Sequence, residues 1–291
     1  QHAGSFAVGD VSDADVVRLV IGRSLGAIYP EKENYRQEDA AGPALAGKSL
    51  STSGQLRDAS FQLWPGEVLG VGALQGMGQL ELFESLFGVS GLRDGSVELN
   101  GQAVTLATPA DAVRAGIGIS MVPEDRKSEG LFLTLTGAAN VSIPVIEKLA
   151  TFGWIRRKVE TAAVDEVLDR LNVHPRAHYK SVSSFSGGNQ QKVAIARLLH
   201  ADVDILLLDE PTRGIDVGSK AQIYQLIDSL AQGDPSEGHE AKAVLIVSSY
   251  LPELLGICDR IAVMCRGQLS EAKPVEDWDE RQLMATAIGQ E

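Results

Sequence analysis

The sequence predicts an α/β fold whose core is a mostly parallel sheet covered on both faces. Three observations carry that expectation. Short continuous apolar runs such as "DILLLDEP" and "AVLIVSS" read as strands buried on both sides, as parallel strands are. Each is followed by a stretch with helical spacing, "SKAQIYQLIDSLA" after the first and "PELLGIC" after the second, and strands alternating with helices build crossover units. Glycine is plentiful (30 residues) while aromatics are only 5%, a balance common in layered α/β chains.

Taken in order, "SDADVVRLVIGRSLGAIYP" reads as an amphipathic helix running into a proline-ended turn, and "EKENYRQEDAAGPALAGKS" as a polar linker. A helix and linker ahead of the first core strand, in a chain with no initial Met, suit the tail of an upstream domain. Residues 1–45 are assigned to it, and the chain is read as part of a longer polypeptide. "ASFQLWPGEVLGVGA" alternates, breaks at Pro65-Gly66 and enters an apolar strand, Val68 to Val71. A glycine-rich turn and a helix follow. Leu80, Phe83 and Phe87 lie on one side of this helix, Leu82 and Leu86 sit beside them, and Gly88 is the stop. "GSVELNGQAV" is an edge hairpin turned at Asn100-Gly101. "DAVRAG" is a short helix and "IGISMV" a strand. From about 129 to 184 the pattern turns helical, most clearly in "KVETAAVDEVLDRLNV". "NQQKVAIARLLH" is a further helix, "GDPSEGHEAK" a surface connection and "RIAVMCRGQL" a closing hairpin.

Composition narrows the function. The 291 residues, 44% hydrophobic and 22% charged, suit one large or two modest globular domains. With 26 basic and 39 acidic residues the net charge is −13, and no concentrated basic face offsets it, so no nucleic-acid partner is expected. Cys258 and Cys265 flank "DRIAVM" and form no metal or disulfide pattern, which leaves isolated thiols. The longest uncharged runs, "VLGVGALQGMGQL" and "LFLTLTGAANVSIPVI", are glycine-rich or broken by polar residues and Pro144. The expectation is a soluble protein, or one held to a membrane by partners.

Three motifs carry chemistry. "GVGALQGMGQLEL" has the setting of a phosphate-binding loop: strand, glycine turn, helix. Against the pattern G-x-x-x-x-G-K-[ST], Ala73 stands at the first glycine, Gly78 at the second, Gln79 at the lysine and Leu80 at the hydroxyl residue. Leu74, Gln75, Gly76 and Met77 fill the turn. The stretch fits a modified phosphate site or a glycine turn packed between strand and helix. In "SFSGGNQQKVAIAR", Ser186, Gly187 and Gly188 offer a hydroxyl and backbone donors at a helix start, which serves an anion or simply caps the helix. In "ILLLDEP", a buried strand delivers Asp209 and Glu210 together at its carboxyl end. In nucleotide hydrolases such acids hold Mg²⁺ through water and polarise the attacking water. A solvated strand end is the plainer alternative.

The order of these motifs resembles the ATP-binding cassette domain of membrane transporters, with "FSGGNQ" in place of "LSGGQ" and "PTRGID" (Pro211 to Asp216) where a dimer-contact loop follows the acids. The resemblance is closer to one branch, the second cassette of monosaccharide-importer ATPases, through "GEVLGVGALQGMGQLEL", "PEDRKSEGL", "FSGGNQQKVAIAR", "LDEPTRGIDVG" and "VSSYLPELLGICDRIAVM". It runs from about Val11 to the C-terminus. It implies a P-loop NTPase cassette fold, with a mostly parallel core sheet, a small antiparallel β subdomain and an inserted helical subdomain. The corresponding division is a nucleotide-binding core at 46–128 and 185–268, a helical subdomain at 129–184 and a C-terminal tail at 269–291. It further implies ATP and Mg²⁺ as cofactors and a peripheral place on the cytoplasmic face of the inner membrane. The implied partners are an upstream cassette of the same polypeptide, membrane permease subunits and, indirectly, a periplasmic sugar-binding protein.

By the same resemblance Glu210 is the catalytic carboxylate, Asp209 an indirect Mg²⁺ ligand and Asp216 part of the dimer contact. Ser186, Gly187, Gly188, Asn189 and Gln190 cap ATP held on the partner cassette. Departures from the family cluster at the chain's own site. Gln79 is neutral where a lysine or arginine stands, and Leu80 lacks the hydroxyl that ligates Mg²⁺. Ser249 occupies the switch position of a histidine, Glu124 stands near a metal-sensing glutamine, and no aromatic lies near Leu50 to stack on adenine. A charge-assisted phosphate contact is worth about 1.5–3 kcal/mol, so a site without it is expected to bind nucleotide weakly and hydrolyse it poorly. Glu210 is nevertheless present, and the sequence supplies no reason. Leu131, Phe132 and Leu133 are assigned to the core, the docking surface for the membrane subunit being the alternative.

Overall fold

A computed structural model describes residues 28–31, 42–114, 119–122, 130–201, 203–236 and 238–290. The amphipathic helix expected at 12–30 lies, apart from Ile28 to Pro30, outside the described residues.

The chain runs through β1 (Leu45–Ser51), β2 (Ala59–Leu63), β3 (Val68–Ala73), α1 (Gln79–Leu86), β4 (Asp94–Leu99), β5 (Gln102–Val104), α2 (Pro109–Arg114) and β6 (Ile119–Val122). A mainly helical stretch follows, with α3 (Gly137–Ser142), α4 (Ile146–Leu149), a small hairpin β7 (Ala150–Thr151) and β8 (Trp154–Ile155), and α5 (Arg157–Arg170). The rest alternates: α6 (Gly187–His200), β9 (Ile205–Asp209), α7 (Val217–Gln232), β10 (Ala243–Ser248), α8 (Leu251–Ile257) and β11 (Arg260–Cys265). Two short strands, β12 (Gln268–Leu269) and β13 (Lys273–Pro274), and helix α9 (Glu280–Ala287) complete it.

The main sheet has the order β12-β11-β3-β10-β9-β6, with β13 beside β11. Strands β11, β3, β10, β9 and β6 are parallel neighbours. Every residue of β9 and β10 is buried, and the side chains alternate between two apolar clusters. Leu206, Leu208, Val244 and Ile246 pack toward the helices α5 to α9. Ile205, Leu207, Leu245 and Val247 pack toward α1 and the smaller sheet. Each such side chain contributes about 1.5–3 kcal/mol by leaving water, so both faces of a strand are apolar and the sequence run is continuous.

The smaller sheet is antiparallel, in the order β2-β1-β4-β5. It corrects the sequence reading of its first strand, because Leu45 to Ser49 belong to the stretch read as a linker. "LAGKSLS" has too few apolar residues for a periodic signal. It is a strand because β2 and β4 flank it and its Leu45 and Leu50 are fully buried. Gly47 makes that possible, since a Cβ there would lie 2.6 Å from the Phe61 ring. The expected edge hairpin is an edge only at β5, since β4 pairs β1. Its turn uses Asn100 (φ 47°) and Gly101 (φ 75°), the left-handed pair that a tight hairpin requires. Helix α1 buries Leu82, Phe83 and Leu86, whereas Leu80 is 51% exposed, so the helix faces the core with a narrower stripe than expected. The β7–β8 hairpin, of two residues a side, interrupts a region read as helical throughout.

The C-terminal segment returns to the core. Trp278 Nε1 donates to the Ile261 carbonyl (3.1 Å), Asp279 and Gln282 form a capping box on α9, and Leu283 and Ala287 join the main apolar cluster. Among the described residues no helix is long and apolar enough to cross a membrane, and the two cysteines are free thiols.

Candidate nucleotide site

Parallel strands end at one edge, and that edge gathers the motifs. Gly72 of β3 is level with Ser248 of β10, and Val247 is level with Asp209 of β9. The glycine turn, the acid pair and the Ser248-Ser249 step therefore emerge side by side, the usual place for ligands of an open parallel sheet.

The turn from Leu74 to Gly78 is shaped by two glycines. Gly76 (φ 79°) and Gly78 (φ 103°) both take the left-handed region, and Gly78 is the N-cap of α1 without any side-chain cap. Gly76 is needed for its φ, since a Cβ there would meet open space. The turn is anchored from behind. The Gly267 N–H donates to the Met77 carbonyl (2.8 Å), the Arg57 N–H donates to Gly267 (2.8 Å), and a Cβ on Gly267 would land on the Gln55 carbonyl. Glu81, one turn into α1, accepts from the Gln55 and Leu56 amides and the Thr52 hydroxyl. Burial raises its pKa, but these hydrogen bonds outweigh that and hold it below the usual carboxylate range.

The residue at the lysine position turns inward on the loop. Gln79 Oε1 accepts the Met77 N–H at 2.9 Å, so one backbone donor of the turn is taken by the protein's own carboxamide. Leu80 presents an aliphatic side chain where a metal ligand is needed. Asp209 and Glu210 alone do not make the ligand set of a Mg²⁺–triphosphate. Among the described residues, those at this edge do not fit a catalytic Mg²⁺ site.

Asp209 is buried at the end of β9. Glu210 adopts φ 47°, unusual for a residue with a side chain, and its Oε1 accepts the Ser249 N–H at 2.7 Å. Its own N–H donates to the Val247 carbonyl (2.9 Å). The carboxylate thus closes the step after β10, which gives Glu210 a structural occupation that the sequence did not disclose. Ser249 is exposed and takes part through its backbone. Glu124 lies outside the described residues.

The signature segment forms a separate, well-made helix start. Ser186 is exposed and N-caps α6, its Oγ accepting from the Asn189 side chain (3.1 Å) and backbone (3.5 Å). Asn189 Oδ1 accepts from the His174 N–H (3.1 Å). Gln190 faces the interior and donates to the Val182 and Phe185 carbonyls, so anything it contributes to a ligand passes through the loop it holds. Gly188 is buried against Ser219, where a Cβ would overlap the serine side chain. Ser219 lies in the first turn of α7, whose N-cap is Asp216: Oδ1 accepts the Ser219 N–H at 3.0 Å. Hydrogen bonds from Ser219, followed by other local ones, keep the Asp216 carboxyl below its ordinary pKa. Ser186-Gly187-Gly188 and the Pro211–Asp216 loop are in this way parts of one surface.

The model of the ABC transporter family matches residues 56–213, a span that takes in the glycine turn, the signature and both acids. The chain belongs to the ABC transporter family. The cassette is 39% identical over 286 residues to a ribose import ATP-binding protein, RbsA 1, of Rhizobium johnstonii, with 98% of this chain and 54% of that protein covered. It is 35% identical over 291 residues to RbsA of Bacillus cereus, covering 100% and 56%. The cassette thus spans about half the length of the curated relatives it matches. Its fold is that of solved ATP-binding cassettes. A nucleotide-free cassette from an ABC transporter superposes with a TM-score of 0.70 at 19% identity, over 85% of this chain and 100% of that one. A dimeric bacterial cassette, MJ0796, superposes with 0.65 at 21%, over 79% and 98%.

Sequence reasoning missed four participants. Thr212, Ser248 and Glu253 form a buried cluster behind the acid pair, and Ser219 explains the second signature glycine. An acid in the first turn of a helix reads as a solvated dipole partner, so no local signal marked Glu253.

Proposed function

We propose that this chain is the second ATP-binding cassette of a sugar importer's ATP-binding subunit. ATP hydrolysis there drives carbohydrate uptake through membrane permease subunits served by a periplasmic binding protein. The cassette works peripherally at the cytoplasmic face of the inner membrane. Its own loop binds nucleotide weakly and does not hydrolyse it efficiently. Its signature segment caps ATP held on the preceding cassette and completes the competent site.

The observation that carries this reading is a contrast within one molecule. The glycine turn is held by its own Gln79–Met77 bond, while Ser186 stands exposed at an intact helix start whose Gly188 packs against Ser219 and Ile215. The relatives support it: they are ribose import ATP-binding proteins nearly twice the matched length, which leaves room for another cassette. Phe132 (51% exposed), Phe152 (100%) and Trp154 (81%) give the helical region an apolar surface suited to a membrane subunit. Phe132 therefore departs from the core expectation that Leu131 meets.

The test mixes this chain with a purified upstream cassette and measures ATP hydrolysis. Stimulation that disappears with Ser186→Arg is the expected outcome, and a partner whose rate ignores this chain would count against it. The closed loop also favours a second reading, a non-catalytic nucleotide-binding regulatory module. Calorimetry separates the two: Mg²⁺-dependent tight binding of ATP to the isolated chain, without stimulation of a partner, would select the module.

A further inference from the structure

Glu253 is the most thoroughly buried carboxyl near the site, 1% exposed at the start of α8, and the proposed function gives it no task. Its two oxygens face opposite loops. Oε1 accepts from the Thr212 hydroxyl and Oε2 from the Ser248 hydroxyl, each at 2.6 Å. Thr212 lies three residues beyond Asp209, on the loop that ends at Asp216. Ser248 ends β10, its Oγ also accepting the Tyr250 N–H (3.1 Å), and the next residue supplies the N–H that holds Glu210. The cluster is closed from above by Tyr224, whose hydroxyl is 3.4 Å from Thr212 Oγ1 and whose ring stacks on Tyr29 at 5.3 Å. Desolvation raises the Glu253 pKa, the two hydroxyl bonds and Lys220 oppose it, and Glu210 adds to it.

A buried carboxyl is costly unless its oxygens are satisfied, and here each oxygen is satisfied from a different loop, deeper than the tie Glu210 makes between them through the Ser249 N–H (2.7 Å) and the Ser248 hydroxyl (3.5 Å). A buried group bonded to both loops behind that surface tie makes them move together. We propose that Glu253 is a positioning residue that fixes the Pro211–Asp216 loop relative to the Ser249–Glu210 contact. The loop this cassette presents at its dimer seam and the closure of its own sheet edge then shift as one unit. The part of this inference that concerns the seam rests on the paired-cassette reading above; the coupling between the two loops does not.

The experiment has two readouts. In the chain itself, amide hydrogen exchange is followed at Arg213 and Ile215 on one loop and at Ser249 on the other. Thr212→Val removes one hydroxyl at nearly constant volume. Its expected effect is a loss of protection of tenfold or more at Ser249, across the cluster, as well as at Ile215. Glu253→Ala is expected to loosen both loops by at least that factor, and Glu253→Gln to stay within threefold of the parent. Paired with the upstream cassette, Glu253→Ala should lower kcat about tenfold with KM for ATP nearly unchanged, and Glu253→Gln should restore it. Loosening confined to the substituted side would overturn the proposal. So would an unaltered kcat in a folded Glu253→Ala protein whose parent stimulates the partner. Should Glu253→Ala fail to fold, Thr212→Val decides through Ser249 alone. Coupled exchange with no stimulation by the parent chain would refute the paired-cassette reading and leave Glu253's role standing.

Discussion

The Gln79 side-chain oxygen lies 2.9 Å from the Met77 amide nitrogen, so the residue at the lysine position of the glycine turn holds one of that turn's own N–H groups. The neutral side chain at that position and the internal hydrogen bond belong to one residue. On the proposed reading, tight nucleotide binding needs both a cation at position 79 and a hydroxyl at position 80.

Gln79→Lys removes the internal acceptor and supplies a cation. Its expected effect is ATP binding at least tenfold tighter by calorimetry, from a contact worth about 1.5–3 kcal/mol. Adding Leu80→Thr should make that binding Mg²⁺-dependent. Equal affinity in parent and Gln79→Lys would show that the loop does not meet phosphate.

Gly188→Ala drives a methyl group into Ser219. Overpacking of this kind costs about 1–3 kcal/mol, seen as a lower urea midpoint. It should also displace the signature from the Asp216 loop and reduce stimulation of an upstream cassette. Pairing it with Ser219→Gly should recover both.

Glu210→Gln keeps an acceptor for the Ser249 N–H. If the carboxylate serves that step rather than chemistry in its own site, partner-stimulated ATPase should stay within about twofold of the parent. A fall of a hundredfold or more, the scale of a lost general base, would return Glu210 to catalysis.

Tyr29→Ala removes a ring stacked on Tyr224 and seated over Gly256, where a Cβ would strike it. Tyr29 is only partly buried, so the expected loss is about 1–3 kcal/mol, less than the ~3–5 of a fully buried aromatic. Gly256→Ala should reproduce most of it by expelling the ring, and Tyr29→Phe should be nearly neutral. Chemical denaturation measures all three.

Glu67 is fully buried between the Trp64 N–H and the Arg260 guanidinium (2.9 Å each). Desolvation pushes its pKa up to about 7, against the opposing pull of Arg260. In the unfolded chain it ionises near the ordinary value of 4.5. The folded state therefore binds the extra proton between those values, and the stability this group contributes is complete below about 4.5 and is lost as pH rises through 7. Relative to Glu67→Gln, the parent should lose up to about 3 kcal/mol across that window, each pKa unit being worth about 1.4 kcal/mol. A pH-independent difference would contradict this.

How far the sequence could be read depended on the range of the interaction. The buried strands β9 and β10 were plain because their apolar runs are contiguous, and β1 was not, because "LAGKSLS" becomes a strand only between two others. The β7–β8 hairpin carries no periodic signal at two residues a side. In the site, Gln79, Leu80, Ser249 and the acid pair were all visible, since each is a matter of residue identity at a fixed spacing.

By itself the sequence determined the alternation of strands and helices, the order of the motifs that places the chain in its family, and the absence of a cation and a metal-binding hydroxyl from the glycine turn. These are local properties, set by side-chain chemistry and by periods of two or 3.6 residues. Only the tertiary structure decided that Gln79 closes its own loop, that Gly188 makes room for Ser219, that Glu210 holds the Ser249 amide across 39 residues and that Glu253 reaches Thr212 across 41. Those contacts arise where the parallel strands end together, and which residues meet there is set by strand order and register, which no local pattern encodes.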